Sequence, residues 1–464
     1  MFIGREKELS LLNEQYQHNR FSFTVVYGRR RVGKTALLRA FCAGKDTIFY
    51  SATEQNNTLA LARFSQSVMQ RFPEAARVAD TFETWEKAIA YVVAQAQDEQ
   101  LILVIDEYPY IAADYPAISS ILQHLLDGPM QSSKLCLILC GSSMSFMEHQ
   151  VLGNKSPLYG RRTAQLKVYP MNYLDSARFF PTWGTEDKLL AYMTVGGIPY
   201  YLLEIARLPD FKTACSAALL RENSILFGEP LSLMNQEMRT PARYNSVIQV
   251  IAQGATKPSE MANALDETIS KVSGYLATLA ELGIVHKRQP YGEKRGKAHY
   301  EIIDPLFRFA YTFLYPYQSL IASGAGDLVY QRYIEPALSM YAGRGFEDIA
   351  AQYLLLRQLS GTLPTIYNGF GAWWGTDPIE KKSIEIDLVG ADHEHALFAE
   401  CKWQNKPLGL DVFKTLVYRS QFTQTGKKRH YGLFSKAGFT QAMLEAARQD
   451  NVSLVGIQEL MGPV

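Results

Sequence analysis

Short segments rich in apolar residues alternate with helical segments in the first third of the chain. Four segments have the composition of strands in a buried parallel sheet: 21–27, 46–52, 101–105 and 135–140. Three others have apolar residues at helical spacing: 36–41, 58–71 and 81–97. The alternation predicts an α/β domain in which helices flank a parallel sheet.

The pattern changes in the middle of the chain. The segments 244–251, 257–265 and 268–282 have one apolar face each and predict three helices. The segments 283–288 and 298–303 predict two strands joined by a turn. Three helices followed by a hairpin predict a winged helix-turn-helix.

Composition limits the class of protein. The 464 residues have a net charge of +1 at pH 7, so any nucleic-acid site must be local. No apolar run approaches the ~18–20 residues that span a bilayer. The N-terminus has early charges and no signal-like apolar segment, and five scattered cysteines lack metal-ligand spacing. We expect a cytoplasmic protein of several domains with no membrane contact.

A phosphate-binding loop is predicted between the first strand and the first helix of the alternating pattern. The sequence G-x-x-x-x-G-K-T begins at residue 28 and has the strand and helix that this motif requires. Its backbone N–H groups and the helix N-terminus would bind the phosphates of ATP. The predicted nucleotide-binding residues are Gly28, Arg29, Arg30, Arg31, Val32, Gly33, Lys34, Thr35 and Ala36.

Two carboxylates end the apolar strand at 101–105. Asp106 and Glu107 would lie at the carboxyl end of a parallel strand, where ligands bind in such sheets. We expect Asp106 to hold Mg²⁺ together with the Thr35 hydroxyl. Lys34 would reach the β- and γ-phosphates, and Glu107 would orient the attacking water.

Arg161 and Arg162 are candidates for stabilising charge at the γ-phosphate. The alternative, a solvated basic loop, stays open. The predicted wing has its own cations, Lys287, Arg288, Lys294, Arg295 and Lys297, which suit phosphate contacts. The third helix has Lys271 as its only cation, so base-specific DNA recognition is poorly supported.

A second polar constellation lies near the C-terminus. Glu400 and Lys402 are two residues apart and face one side of a predicted strand, and Asp387 can lie beside them across a hairpin. With Glu347 on a preceding helix, the carboxylates would hold Mg²⁺ and Lys402 would orient or deprotonate water. This is the constellation of PD-(D/E)XK nucleases; a cross-strand ion pair is the alternative.

Taken together, these motifs resemble archaeal-type AAA/STAND ATPases, also found in bacteria, with a C-terminal PD-(D/E)XK signature. The match rests on the loop at 28–35, Asp106-Glu107, the turn 196–199, the segment 307–309 and residues 400–403. The resemblance covers nearly the full length and implies ATP binding with Mg²⁺.

The resemblance adds further candidate residues. Phe2, Ile3 and Arg5 resemble an entry box that lies against the adenine, and Pro199 resembles the lid proline that packs on it. The strand at 135–140 would lie between the two motif strands, and its tip, Ser142 or Ser143, would sense the γ-phosphate. A hydroxyl that caps the next helix is the alternative.

We therefore expect an α/β multi-domain chain with four parts: an ATPase core at 1–165, a helical lid at 166–238, a winged helix at 239–312, and linker helices with a restriction-endonuclease-like domain at 313–464. The predicted function is an ATP-driven STAND-type switch coupled to a DNA-directed nuclease-like effector. The alternative is a signalling or scaffold ATPase whose C-terminal domain binds protein or DNA without catalysis. Its oligomeric state does not follow from the sequence.

Overall fold

The computed structural model describes residues 2–77, 80–293, 298–423, 428–448 and 451–462. The chain divides into two compact units. Unit 1 comprises Met1–Pro170 with Ile198–Tyr200, and unit 2 comprises Met171–Gly197 with Tyr201–Val464. In the described residues, no helix is both long and apolar enough to cross a membrane.

Unit 1 contains a parallel sheet of five strands in the order β2-β3-β4-β1-β5. The strands are β1 (Ser22–Tyr27), β2 (Thr47–Ser51), β3 (Leu101–Asp106), β4 (Leu135–Gly141) and β5 (Ala164–Lys167). Every residue of β1, β3 and β4 is buried, as expected for central strands covered on both faces. β4 lies between β1 and β3, which confirms the predicted strand order.

In the described residues of unit 1, one α-helix precedes β1 and six more lie between the strands. They are α1 (Glu6–Gln17), α2 (Lys34–Cys42), α3 (Asn57–Arg71), α4 (Trp85–Gln95), α5 (Tyr108–Asp114), α6 (Ile118–Asp127) and α7 (Met144–Phe146). The helix predicted from residue 81 begins four residues later, because the Thr84 side chain caps it by accepting a hydrogen bond from the Lys87 N–H.

Unit 2 begins with a helical part. Its helices are α8 (Tyr173–Ala177), α9 (Thr185–Val195), α10 (Pro199–Ile205), α11 (Phe211–Ala214) and α12 (Ile225–Glu237). The first two residues of α10 belong to unit 1.

Three helices and a hairpin follow, at the predicted places. They are α13 (Pro241–Ala252), α14 (Pro258–Leu265) and α15 (Ile269–Glu281), with β6 (Val285–Arg288) antiparallel to β7 (His299–Ile302). Four further helices lead to the C-terminal sheet: α16 (Pro305–Phe309), α17 (Gln318–Ala322), α18 (Gly326–Val329) and α19 (Leu338–Leu359).

The C-terminal sheet is mixed, with the order β12-β11-β10-β9-β8. Its elements are β8 (Gly371–Thr376), β9 (Ser383–Ala391), β10 (His395–Lys402), α20 (Leu410–Ser420), β11 (Lys428–Ser435), α21 (Gln441–Ala446), β12 (Val452–Gly456) and α22 (Ile457–Leu460). Strands β8 to β10 are antiparallel neighbours, and β10 to β12 are parallel ones joined through α20 and α21.

Candidate functional site

The loop from Gly28 to Gly33 joins β1 to α2 in a tightly curled conformation. Arg31 and Gly33 have φ angles of 65° and 95°, in the left-handed region that favours glycine. A Cβ atom on Gly28 would lie 2.4 Å from the carbonyl oxygen of Val168. The close backbone approach therefore requires glycine at position 28, and the predicted strand–loop–helix motif is present.

Lys34 is buried inside this loop. Its Nζ donates hydrogen bonds to the carbonyl oxygens of Gly28 at 2.8 Å and Arg29 at 3.1 Å. Burial lowers the pKa of the Lys34 ammonium below its ordinary value, since a charged group loses hydration there. The charges of Glu107 and Asp106 act in the opposite direction, and a phosphate chain bound by the loop would add a further counter-charge.

Asp106, the last residue of β3, lies against the first turn of α2. The Thr35 hydroxyl donates to Asp106 Oδ2 at 2.7 Å, and the Glu107 N–H donates to Oδ1 at 3.1 Å. Two adjacent oxygen ligands of this kind suit Mg²⁺, which is usually bound by one or two protein ligands plus phosphates. The residues present therefore fit the predicted metal.

Glu107 follows with a φ of 54° and points its carboxylate at the end of β4. Glu107 Oε2 accepts hydrogen bonds from the Ser142 N–H at 3.1 Å and the Ser142 hydroxyl at 2.8 Å. Ser143 occupies the N-cap position of α7 but makes no side-chain cap bond. The capping interpretation is therefore wrong for Ser143, and the Ser142 hydroxyl binds the candidate catalytic carboxylate instead.

Arg5, one of the N-terminal candidates, contacts the backbone of the phosphate-binding loop. Arg5 Nη2 donates to the carbonyl oxygen of Val32 at 3.0 Å, and Nη1 pairs with Glu8 at 2.8 Å. Phe2 keeps 41% of its surface exposed, whereas Ile3 is buried. Arg5 thus fixes the loop backbone, and the prediction that this segment lies against adenine stays a prediction.

Two tyrosines that the sequence analysis missed contact the arginines of the loop. The Arg31 guanidinium lies 4.7 Å from the centre of the Tyr200 ring, a cation–π distance, and Arg30 donates to the Tyr110 hydroxyl at 3.3 Å. The predicted lid residue Pro199 lies 3.7 Å from the Cβ position of Gly33. Tyr200 follows Pro199 directly in the sequence, and this position could have indicated it. No motif in the sequence indicates Tyr110.

Arg161, one of the two candidates for the γ-phosphate, pairs with an acidic side chain in this structure. Its guanidinium forms a two-point ion pair with Asp127 at 2.6 and 2.7 Å, so its charge is already paired at an exposed position. The charge of Arg162 acts on Tyr27, the residue that precedes the phosphate-binding loop. A contact of either arginine with the γ-phosphate stays a prediction.

In the C-terminal sheet, Asp387 of β9 converges with Glu400 and Lys402 of β10. Lys402 Nζ lies 2.6 Å from Glu400 Oε1 and 3.9 Å from Asp387 Oδ2, and Asp387 Oδ2 accepts the Cys401 N–H at 2.8 Å. Glu400 Oε2 is buried and has no hydrogen-bond partner among the described residues. Arg419 of α20, which no sequence motif indicates, also lies near this group, with its Nη1 3.7 Å from Glu400.

The electrostatics of this group are those of crowded carboxylates. Burial raises the pKa of Glu400, and the nearby charge of Asp387 raises it further. Although burial alone lowers the pKa of Lys402, the charges of Glu400 and Asp387 raise it above its ordinary value. Lys402 is therefore a charged ammonium that can orient water or a phosphate.

Glu347 on α19 is near this group but has other partners. Its carboxylate pairs with Arg344 and lies 3.6 Å from Arg288. Burial raises the pKa of Glu347 to about 7. The charge of Arg344 lowers this pKa, whereas the charge of Asp387 raises it. The described part of the chain contains no group of three or more His, Cys, Asp or Glu side chains that could share a metal ion. Geometry gives no support for Glu347 as a metal ligand.

Two of the described cations of the hairpin and of α15, Arg288 and Lys271, are paired with carboxylates. Arg288 lies between Glu301 at 3.7 Å and Glu347 at 3.6 Å, whereas Lys287 is exposed. Lys271 pairs with Glu267 at 2.9 Å. The three other predicted wing cations, Lys294, Arg295 and Lys297, lie outside the described residues. The prediction that Arg288 contacts DNA phosphates is therefore not supported.

Comparisons with known proteins locate two families along the chain. Residues 2–205 match an ATPase domain found predominantly in archaea, and residues 310–414 match archaeal and bacterial proteins of unknown function. An uncharacterized protein of Methanocaldococcus jannaschii is 32% identical over 429 residues, which are 92% of each chain.

One solved structure shows the same fold over much of the chain. The Walker-type ATPase of Pyrococcus abyssi aligns with a TM-score of 0.53 at 19% identity, over 67% of this chain and 96% of that one. At this identity the likeness concerns fold alone.

Proposed function

Since the chain belongs to the family of archaeal-type P-loop ATPases, we propose that it is an ATP-hydrolysing switch of the STAND type whose C-terminal domain is a nuclease-like effector acting on DNA. The ATPase half follows from the family and from the loop around Lys34. The effector half rests on the convergence of Asp387, Glu400 and Lys402.

In the proposed ATPase cycle, each residue of unit 1 has a separate task. The N–H groups of the loop and the Lys34 ammonium bind the β- and γ-phosphates. Thr35 and Asp106 would hold Mg²⁺, which neutralises phosphate charge when bound. Glu107 orients and polarises the attacking water, and Ser142 fixes the position of the Glu107 carboxylate.

In the proposed effector, Asp387 and Glu400 would hold a divalent cation. The buried Glu400 Oε2 without a hydrogen-bond partner is an oxygen whose burial is costly unless it gains a donor or a cation. When bound, Mg²⁺ would polarise a phosphodiester and lower the pKa of water. The Lys402 ammonium then orients the water or phosphate. Three antiparallel strands after α19, followed by α20 and a parallel strand, support a nuclease-like domain.

The three helices and hairpin are proposed to be a winged helix that couples domains. The hairpin uses Arg288 for ion pairs within unit 2, and Glu267 neutralises Lys271. Among the residues that the structure describes, Arg288 and Lys271 are therefore engaged in ion pairs, and Lys271 is the only cation of α15. Coupling through packing is therefore favoured over sequence reading.

A second candidate function is a signalling or scaffold ATPase with a non-catalytic C-terminal domain. The ion pairs of Glu347 with two arginines favour this second function, because only Asp387 and Glu400 of the three predicted ligands then remain for a metal. If the C-terminal domain binds a protein, no salt-dependent DNA affinity is expected, whereas DNA binding releases counterions and depends steeply on salt.

Nuclease assays test the effector directly. The purified chain is incubated with Mg²⁺ and linear, branched or single-stranded DNA, beside Glu400→Gln and Lys402→Ala. We expect the parent to cleave at least one substrate and both variants to lose about a hundredfold in rate or more, because a metal site supplies several kcal/mol of transition-state stabilisation.

Glu394→Gln is the matched control, because Glu394 lies exposed in the turn before β10. This variant should cleave DNA like the parent. Absence of cleavage by the parent on every substrate would contradict the nuclease half. In that case, salt-dependent DNA binding separates a non-catalytic DNA-binding module from a protein-binding scaffold.

A further inference from the structure

Unit 2 contains a cavity of about 600 Å³ that is separate from the Asp387–Glu400–Lys402 group. It lies between the end of α13, the strand β7, and the helices from α16 to α19. Its size is in the range of small-molecule sites. None of the proposed catalytic or metal-binding residues lines it.

The walls of the cavity combine flat rings with hydrogen-bonding groups. Tyr300, Phe313, Tyr317 and Tyr341 line it. The Tyr317 ring stacks on Tyr333 at its rim, with centroids 4.1 Å apart and planes at 18°. Such rings bind other planar rings by stacking. At the rim, Tyr333 is 41% exposed, so a second planar group could reach it from solvent.

Charged groups at the wall offer both donors and an acceptor. Arg308 Nε is buried and has no hydrogen-bond partner among the described residues, although its Nη2 donates to the carbonyl of Met193 at 3.3 Å. Glu301 supplies carboxylate oxygens and pairs with Arg344 at 2.7 Å. The Arg308 guanidinium also lies 4.8 Å from the centre of the Tyr341 ring, so the rings at the rim are the ones open to a ligand.

We infer that this cavity binds a nucleobase: a planar ring that stacks on the tyrosines at the rim, Tyr317 and Tyr333. The base could come from an unpaired nucleotide of a nucleic acid strand or from a free mononucleotide. Single-stranded binding sites recognise bases by aromatic stacking in this way.

The position of Arg344 favours a nucleic acid strand as the source. Arg344 contacts Glu301 at the cavity wall and also pairs with Glu347, whose carboxyl is affected by the charge of Asp387. The cavity is thus connected to the surroundings of the candidate nuclease site. The inference deepens the proposed function, on which the choice of strand over mononucleotide rests.

Binding of a short fluorescein-labelled single-stranded oligonucleotide, followed by anisotropy, tests the inference. The chain carries Lys34→Ala to remove nucleotide binding at the loop, and EDTA is present so that no cleavage occurs. An abasic strand of the same length and charge serves as the second probe. We expect the abasic strand to bind about tenfold more weakly or worse, because base stacking contributes most of the base-dependent affinity.

Tyr333→Ala and Tyr317→Ala should weaken binding of the normal strand towards the abasic level, about tenfold. The matched control is Tyr275→Ala, because Tyr275 packs on Tyr244 in the helices α13 and α15, away from the cavity. Tyr333→Phe, which keeps the ring, should bind like the parent and so show that binding needs the ring and not the hydroxyl.

Displacement of the labelled strand by free AMP, CMP, GMP or TMP at low concentration would assign the cavity to a mononucleotide, within the same base-binding inference. Equal affinity for normal and abasic strands, or unchanged affinity in both tyrosine-to-alanine variants, would overturn it. Cleavage by the Glu400-dependent site could still be present then, so the two proposals fail separately.

Discussion

Glu107 combines a strained backbone with a fixed side chain. Its φ of 54° costs a non-glycine residue about 1–3 kcal/mol, and the surrounding structure must compensate for this. The two hydrogen bonds from Ser142 to Glu107 Oε2 hold the carboxylate in one orientation. Such strain is common where a side chain must be held for catalysis.

We predict that Ser142→Ala lowers the rate of ATP hydrolysis about tenfold while ATP affinity changes little. One hydrogen bond to a charged group is worth about 1.5–3 kcal/mol, and a loss of 1.4 kcal/mol in transition-state stabilisation is a factor of ten. The measurement is kcat and KM from steady-state phosphate release, with ATP binding determined by calorimetry.

Ser142→Thr keeps the hydroxyl and should restore most of the rate. Glu107→Gln gives the lower limit, since it should bind ATP and hydrolyse it at least about a hundredfold more slowly. A faster Ser142→Ala enzyme would contradict the prediction, because Ser142 would then restrain Glu107 rather than position it.

At the scale of elements, the hairpin of β6 and β7 is bound to the C-terminal sheet. The Tyr291 N–H donates to the carbonyl of Ala372 at 2.8 Å, and the Tyr291 hydroxyl accepts the Ala391 N–H at 2.8 Å. His299 stacks on Trp374, with ring centroids 5.1 Å apart and planes at 10°. These contacts make the hairpin part of the C-terminal domain's surface.

We predict that Tyr291→Phe lowers the free energy of unfolding of unit 2 by about 1–3 kcal/mol, because the Ala391 N–H loses its acceptor. Hydrogen exchange measured by mass spectrometry should show faster exchange in the peptide that contains Ala391. Tyr244→Phe is the control, since its ring packs on Tyr275 in another part of unit 2. Unchanged exchange at Ala391 would show that this contact does not fasten the hairpin.

The sequence predicted the elements better than their contacts. The central strands of unit 1 followed from apolar runs, whereas β5 was missed because Leu166 is its only fully buried residue. The bond from Tyr291 to Ala391 spans 100 positions, and local patterns contain no information about such pairs. The convergence of Asp387, Glu400 and Lys402 was predictable, because a hairpin and a two-residue spacing place them together.

The partners of single residues were the least predictable part. Glu347 was correctly placed on a helix, but Arg288 and Arg344 engage its carboxylate. Arg161 is a candidate for phosphate contact from the sequence, and in the structure Asp127 of α6 pairs with it. In both cases an opposite charge from elsewhere in the fold decides the role, and composition alone does not reveal it.

At the scale of the whole molecule, a switch requires that ATP and DNA change each other's affinity. A coupling free energy of about 1–3 kcal/mol corresponds to a 5–150-fold change, and linkage makes it reciprocal. We predict that Glu107→Gln with ATP and Mg²⁺, in which ATP persists, binds single-stranded DNA at least about fivefold more tightly or more weakly than with ADP. Anisotropy titrations measure this ratio.

The same factor must appear when ATP binding is measured with and without saturating DNA, since both paths lead to the same ternary complex. Lys34→Ala provides the matched control: without nucleotide binding at the loop, ATP and ADP should leave its DNA affinity equal. If Glu107→Gln also shows equal affinities, the ATPase and the C-terminal domain work independently. The effector would then be constitutive, and ATP hydrolysis would serve a partner bound to unit 1.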